Sequence, residues 1–101
     1  MTPDETFTAC RKMLPGLTWR LAQLGNVRAL IPGAELALMP NPSGCTAEVR
    51  FPGSAWETME SHPDALSAIQ DLASSLCSTT EARHAYWREV GEALSKILKA
   101  R

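Results

Sequence analysis

The chain has few of the residues that hold small secreted proteins together. Its 101 residues include three cysteines, Cys10, Cys45 and Cys77, and no two have the close spacing of a redox or metal-binding pair. Small domains stabilised by disulfides carry a denser, even-numbered set. We therefore expect three reduced and buried thiols in a cytoplasmic protein. Residues 1–5 are acidic, and because a signal peptide needs a basic n-region we expect none.

Long apolar runs and an excess of charge of one sign are also lacking. A membrane-spanning helix needs roughly 20 apolar residues, and no run in this chain approaches that length, so no membrane association is expected. The 10 basic and 11 acidic side chains give a formal net charge of −1. Proteins held to nucleic acid by bulk charge carry a large basic excess, so direct binding of that kind is not expected.

Motifs of catalysis and cofactor binding are missing as well. The glycines fit neither phosphate-binding pattern, GxGxxG or GxxxxGK(S/T), and the patterns GxSxG and HExxH are absent. The two histidines and three cysteines do not make the tight ligand pairs typical of zinc sites. We expect no enzyme, no cofactor and no metal site. A small enzyme that uses Cys77 or His84 is the least favoured alternative.

Capping residues and apolar periodicity predict three helices. Residues 2–5 form a capping box that opens the first helix at about residue 3, and Pro15-Gly16 ends it after about residue 13. Ser61 is expected to cap a second helix that opens within residues 61–64. Residues 78–81 form another capping box, which opens a third helix. The apolar stripe of this third helix comprises Ala82, Tyr86, Val90, Ala93, Leu94 and Ile97.

Between the first two helices the apolar period changes from 3.6 to 2, which predicts β-strands. Turn-forming residues separate the alternating segments, and short connections favour antiparallel pairing. The segments form an antiparallel meander of three strands, or of four if residues 17–23 and 27–31 are separate strands. Residues 52–61 are predicted to be a connector. The inner face of the sheet, packed on the helices, is expected to carry Trp19, Leu36, Leu38, Val49 and Phe51.

The predicted fold is a single α+β domain over residues 1–101. In it an antiparallel three- to four-stranded meander packs on helices in the order α-β-β-β-(β)-α-α. This order resembles that of double-stranded RNA-binding domains, whose last helix begins with lysines that contact phosphates. Residues 61–64 of this chain are acidic instead, so RNA binding by that route is not expected. Residues 34–76 also resemble the partial RNase-H-like layout of HicB-type antitoxins.

The outer face of the predicted sheet is the first candidate for recognition. Its mixed charges are typical of cross-strand ion pairs, which is one interpretation. The other is a polar face that docks a partner, with arginines as anchors. The side chains expected on this face are Thr18, Arg20, Arg28, Glu35, Thr46, Glu48 and Arg50.

The predicted connector is the second candidate. It carries Trp56 and Met59 beside the carboxylates of Glu57, Glu60 and Asp64. Trp56 either covers one end of the core or forms an exposed aromatic contact within an acidic surround. The second arrangement would suit a basic partner surface, such as one that normally holds nucleic acid.

The expected function is that of a small non-enzymatic binding protein, which acts by stoichiometric occlusion of a macromolecular partner, a protein or a protein–nucleic-acid complex. Phage or mobile-element inhibitors of bacterial defence, anti-CRISPR proteins among them, are proteins of this kind. The alternative is an antitoxin-like or regulatory module that forms a homodimer through its sheet edge or last helix. The candidate partner-binding residues are Arg20, Arg28, Glu48, Arg50, Trp56, Glu57, Met59 and Glu60.

Overall fold

The computed structural model describes residues 1–80 and 85–101. Within these ranges the five strands form one antiparallel sheet in chain order, and none of the helices has the length and hydropathy needed to span a bilayer. The predicted single α+β domain is confirmed, with five strands in place of three or four. The elements are α1 (Pro3–Met13), β1 (Arg20–Leu21), β2 (Val27–Ile31), β3 (Ala34–Asn41), β4 (Gly44–Arg50), β5 (Trp56–His62), α2 (Ala65–Cys77) and α3 (Ala85–Lys99).

The additional strand lies in the segment predicted to be a connector. A turn at residues 52–54 is followed by β5, which pairs with β4 from Arg50↔Trp56 to Cys45↔His62. None of the seven residues of β5 is fully buried. The apolar alternation that reveals a half-buried strand is therefore too weak here to be seen, because an edge strand buries little of its surface.

The second helix begins later than predicted, because the unpredicted strand β5 extends to His62. Ser61 belongs to β5, and Asp64 takes the N-cap position, where its Oδ1 accepts a hydrogen bond from the backbone N–H of Ser67 at 2.8 Å. The capping box of α1 is confirmed in both directions, since the backbone N–H groups of Glu5 and Thr2 each donate to the other's side chain. The predicted capping box at residues 78–81, and the roles of Ala82 and His84, lie outside the described residues.

The core forms where the helices meet one face of the sheet. The five side chains predicted for the inner face, Trp19, Leu36, Leu38, Val49 and Phe51, are all at most 7% exposed. They pack in one cluster with Cys10 of α1, with the apolar stripe of α2 and with Val90 and Leu94 of α3. Burial of each large side chain contributes roughly 1.5–3 kcal/mol. Since the described helices all join this inner core, none of them covers the outer face of the sheet.

Aromatic contacts hold α3 at one end of the sheet. The ring of Trp87 stacks on Phe51 with a centroid distance of 5.1 Å and an interplanar angle of 6°. The hydroxyl of Tyr86 donates to the backbone carbonyl of Gly33, in the turn between β2 and β3. Gly33 has a φ of +83°, which the second position of a Pro-Gly turn requires. The helix is thereby fixed beside the end of β4.

The cysteines differ from each other in exposure. Cys10 and Cys45 are fully buried, as predicted, but Cys77 at the end of α2 is exposed, with its Sγ 3.7 Å from Ser95 Oγ. The prediction of three buried thiols is therefore wrong for Cys77. Burial raises the pKa of the Cys10 thiol to about 12, and the pKa of Cys45 is raised by burial and then by the Asp64 carboxylate.

We expect native protein at neutral pH to expose one reactive thiol per chain. Cys10 and Cys45 are inaccessible and are held in the unreactive protonated form, whereas Cys77 is accessible. Labelling with an iodoacetamide reagent, read by mass spectrometry, should modify one cysteine in buffer and three in denaturant. The Cys77→Ser variant should show no fast labelling. Rapid modification of a second thiol in the folded protein would contradict this assignment.

A candidate docking face on the outer sheet surface

The register of the strands arranges the outer face in neighbouring rows, of which one contains Met39, Thr46 and Ser61 and two others form the candidate site. Side chains on one face of a sheet come from directly paired residues and from residues two apart on each strand. The first row comprises Arg20, Arg28, Ala37, Glu48 and Thr58, and the second comprises Leu30, Glu35, Arg50 and Trp56. We call the group formed by Arg20, Arg28, Glu35, Arg50 and Trp56 the arginine cluster.

Glu35 lies at the centre of the arginine cluster. Its Oε2 is 3.3 Å from Arg20 Nη2, and its Oε1 is 2.6 Å from Arg50 Nη2 and 4.0 Å from Arg28 Nη1. The Glu35 side chain is 12% exposed, whereas those of Arg20 and Arg50 are 61% and 43% exposed. Three guanidinium groups around one carboxylate leave a formal excess of two positive charges in this cluster.

Trp56 lies in the same cluster. Its ring centroid is 4.7 Å from the guanidinium carbon of Arg50 and 5.2 Å from that of Arg28. Such cation–π contacts contribute about 0.5–1 kcal/mol each at exposed sites. Ala37 has no exposed surface although it lies on the outer face, so the longer side chains around it extend across the sheet. The guanidinium groups are thereby held in defined positions.

The prediction for the surroundings of Trp56 is wrong. Trp56 is neither a loop residue that covers the core nor an aromatic group among carboxylates, because it begins β5 and faces the two arginines. Strand alternation separates it from Glu57, which pairs with Val49 and therefore lies on the helix side of the sheet. Tryptophan and arginine, assigned to two separate candidate surfaces, belong to one.

The remaining candidates divide between the outer face and the edge of β5. Glu48 lies on the outer face, where its Oε2 accepts a hydrogen bond from Thr58 Oγ1 at 3.3 Å. Met59 packs partly against the core, and Glu60 is exposed. Both lie at a β-bulge, where Met59 and Glu60 together stand opposite Ala47 of β4. Met59 and Glu60 therefore do not form a joint site with Trp56.

The exposed edge of β5 explains the carboxylates of Glu57 and Glu60. Within the described sheet β5 pairs with β4 alone, so the backbone groups on its other side are free to pair with a foreign strand. Charged side chains and bulges are the features by which proteins block such pairing. Both are present in β5, which favours a protective role for these two residues.

Removal of the charges on β5 should make the protein self-associate. We expect the double variant Glu57→Val/Glu60→Val to increase in mean mass with concentration in analytical ultracentrifugation, because strand edges of two copies can then pair. Glu89→Val, at an exposed position of α3, removes a carboxylate away from the edge and serves as the control. The account of the edge is wrong if the double variant sediments like the control. The same runs on the unchanged protein test the predicted homodimer.

Leu30 is a member of the outer face that the sequence prediction missed. Its side chain is 74% exposed, at a position that pairs with Glu35. An open groove of about 730 Å³ lies on one side of it, lined by Ile31, Phe51, Pro52 and Arg50 among others. A smaller groove of about 340 Å³ is also lined by Leu30, together with Arg20. An apolar side chain therefore protrudes beside the arginine cluster.

The other chemically active side chains are distant from this face or outside the described residues. His62 Nε2 is 3.1 Å from Asp71 Oδ2 and connects β5 to α2, on the helix side. His84, which was named beside Cys77 as a candidate residue of a small enzyme, lies outside the described residues. Within residues 1–80 and 85–101, no three histidine, cysteine or acidic residues are placed to hold a metal ion.

Comparison with protein-family models, curated proteins and solved structures finds no match to this chain. The strongest arrangement on the described surface is the arginine cluster with Leu30 beside it.

Proposed function

We propose that the protein is a non-enzymatic binding protein that docks on a macromolecular partner through the outer face of its sheet. The observation that carries the proposal is the arginine cluster, in which three arginines share the carboxylate of Glu35 and two of them contact Trp56. Tryptophan and arginine are among the residues most often responsible for binding energy at protein interfaces.

The composition of the cluster favours recognition over a purely structural role. The cluster keeps an excess of positive charge, three guanidinium groups around one carboxylate, on a face that no described helix covers. Exposed ion pairs also contribute little to stability, typically below about 1 kcal/mol each. The cluster includes neither a thiol nor an imidazole, and the carboxylate of Glu35 already binds arginines. These groups are therefore poorly suited to catalysis.

Occlusion is the mode of action that fits such a face. A protein that binds with one face of a small rigid sheet can block the surface it covers without a second domain. Inhibitors carried by phages and other mobile elements, including inhibitors of bacterial defence, act in this way. We include that role in the proposal, with a protein or a protein–nucleic-acid complex as the partner.

Affinity capture with matched variants tests the proposal. The tagged protein should recover a partner in stoichiometric amount from an extract of the cells in which the chain naturally occurs. The double variant Arg20→Ala/Arg50→Ala should lose that partner, whereas Lys96→Ala/Lys99→Ala should retain it. The control pair removes the same charge from α3, away from the outer face. Equal recovery by both double variants, or recovery of no partner by the unchanged protein, would count against docking through this face.

A further inference from the structure

We infer that the segment of the partner bound by the outer face is acidic and apolar, with one or more carboxylates next to a bulky apolar side chain. The inference rests on the proposed docking function and specifies the chemistry that the face recognises. Its three supports are the unused donors of the arginines, the contact of Arg50 with Trp56, and the position of Leu30.

The exposed arginines have hydrogen-bond donors to spare. A guanidinium group has five N–H donors in a planar fork. Arg20 and Arg50 each donate one hydrogen bond to Glu35, at 3.3 Å and 2.6 Å. Within the described part of the chain, the side chains of both arginines keep further donors for a partner. Carboxylates match the guanidinium fork with two parallel hydrogen bonds, which gives strong and directional pairing.

The tryptophan prepares Arg50 for that pairing. Because its guanidinium carbon is 4.7 Å from the ring centroid of Trp56 and its Nη2 is held by Glu35, the Arg50 side chain is restrained before a partner arrives. A restrained side chain loses less rotamer entropy on binding. In the described part of the chain one hydrogen bond, to Glu35, engages this guanidinium group, so its other N–H groups remain available to a ligand.

The apolar part of the segment would lie beside Leu30. The larger groove next to this residue has walls from Ile31, Phe51 and Pro52, and Arg50 lines it as well. A carboxylate bound by Arg50 therefore has an apolar recess next to it. Neighbouring residues of an extended peptide, about 3.3 Å apart along the chain, can reach both.

Nucleic acid fits the same face less well. A strand of nucleic acid needs a track of cations for its phosphates and free aromatic faces for its bases. The five strands carry no lysine, and Glu35 and Glu48 put carboxylates on the face. The ring of Trp56 is already in contact with two guanidinium groups. These features favour a protein segment.

Selection from a random displayed-peptide library tests the inference and does not require the partner to be identified. Selection on the unchanged protein should enrich peptides with aspartate or glutamate next to leucine, isoleucine, phenylalanine or tryptophan. The enriched peptides should bind Arg20→Ala/Arg50→Ala about tenfold or more weakly and bind Lys96→Ala/Lys99→Ala unchanged. Leu30→Ser, a change at an exposed position, should reduce the preference for the apolar residue while leaving the acidic one.

Three results of the peptide selection would overturn the inference, and a competing probe supplies a fourth. They are the absence of an enriched motif, enrichment of basic peptides, and acidic peptides that bind both double variants equally. A fluorescein-labelled single-stranded oligonucleotide provides the competing probe. If this oligonucleotide binds more tightly than every selected peptide, and its binding depends on Arg50, the face is assigned to nucleic acid.

The outcome is separable from that of the capture experiment. If capture of a partner depends on Arg20 and Arg50 but the selection yields no acidic motif, the docking function is supported and the proposed acidic chemistry is overturned. Acidic peptides without a captured partner would support the chemistry and count against the docking function.

Discussion

Replacement of Gly44 by alanine should lower the free energy of unfolding by about 3 kcal/mol or more. Gly44 opens β4 with a φ of +146°, and a Cβ at this position would overlap the carbonyl oxygen of His62 and lie 2.8 Å from the Cα of Pro63. Both are backbone atoms, one in the last residue of β5 and one in the residue after it. No side-chain rotation can relieve the overlap, so the strand or the turn before it must move.

Gly53→Ala is the matched control for this prediction. Gly53 also has a positive φ, +77°, but a Cβ there would have no heavy atom within 4 Å. Its replacement should therefore cost only the backbone strain of a left-handed residue, about 1–2 kcal/mol. Chemical denaturation of both variants at the same temperature measures the difference. Similar losses of stability in the two variants would show that β5 does not approach Gly44 as closely as described.

The second large effect is expected on binding. Arg50→Ala should weaken the complex with the captured partner by about 30-fold or more, which corresponds to the loss of about 2 kcal/mol typical of an interface hot spot. Arg50 is the arginine with the shortest contact to Glu35 and the shorter distance to Trp56. It also lines the groove beside Leu30, so three features of the site depend on it.

Arg50→Lys distinguishes the geometry of the guanidinium group from its charge. A lysine ammonium keeps the charge but cannot form the planar fork. We therefore expect Arg50→Lys to bind nearly as weakly as Arg50→Ala in isothermal titration calorimetry, and Lys96→Ala to bind like the unchanged protein. Full affinity in Arg50→Lys would show that charge alone matters, against the proposed bidentate recognition.

The parts of the fold predicted correctly are those determined by interactions and patterns among residues close together in the sequence. The capping box of α1 involves residues three apart, and the inner face of the sheet follows from strict alternation of apolar residues. The errors concern β5 and the cap of α2. A polar edge strand lacks apolar alternation, and once residues up to His62 are in a strand, Asp64 is the residue left to cap the helix.

The site was predicted in its parts but not in its arrangement. The alternation of strand residues placed Arg20, Arg28, Glu35 and Arg50 on the outer face, and the structure confirms their ion pairs. The position of Trp56 could not be found this way, because it depends on pairing of β5 with β4. The central position of Glu35 could not be found either, because it depends on the pairing of β1, β2 and β4, which carry the three arginines, around β3.

The central claim is that the arginine cluster serves binding more than folding. The most direct test measures, for the single protein Arg20→Ala/Arg50→Ala, both the free energy of unfolding and the free energy of binding to the captured partner. Because both side chains are more than 40% exposed, the free energy of unfolding should change by only about 1–2 kcal/mol. The affinity for the partner should fall about 1,000-fold, which corresponds to about 4 kcal/mol. Undiminished binding with a large loss of stability would show that the cluster is structural and that the partner binds elsewhere.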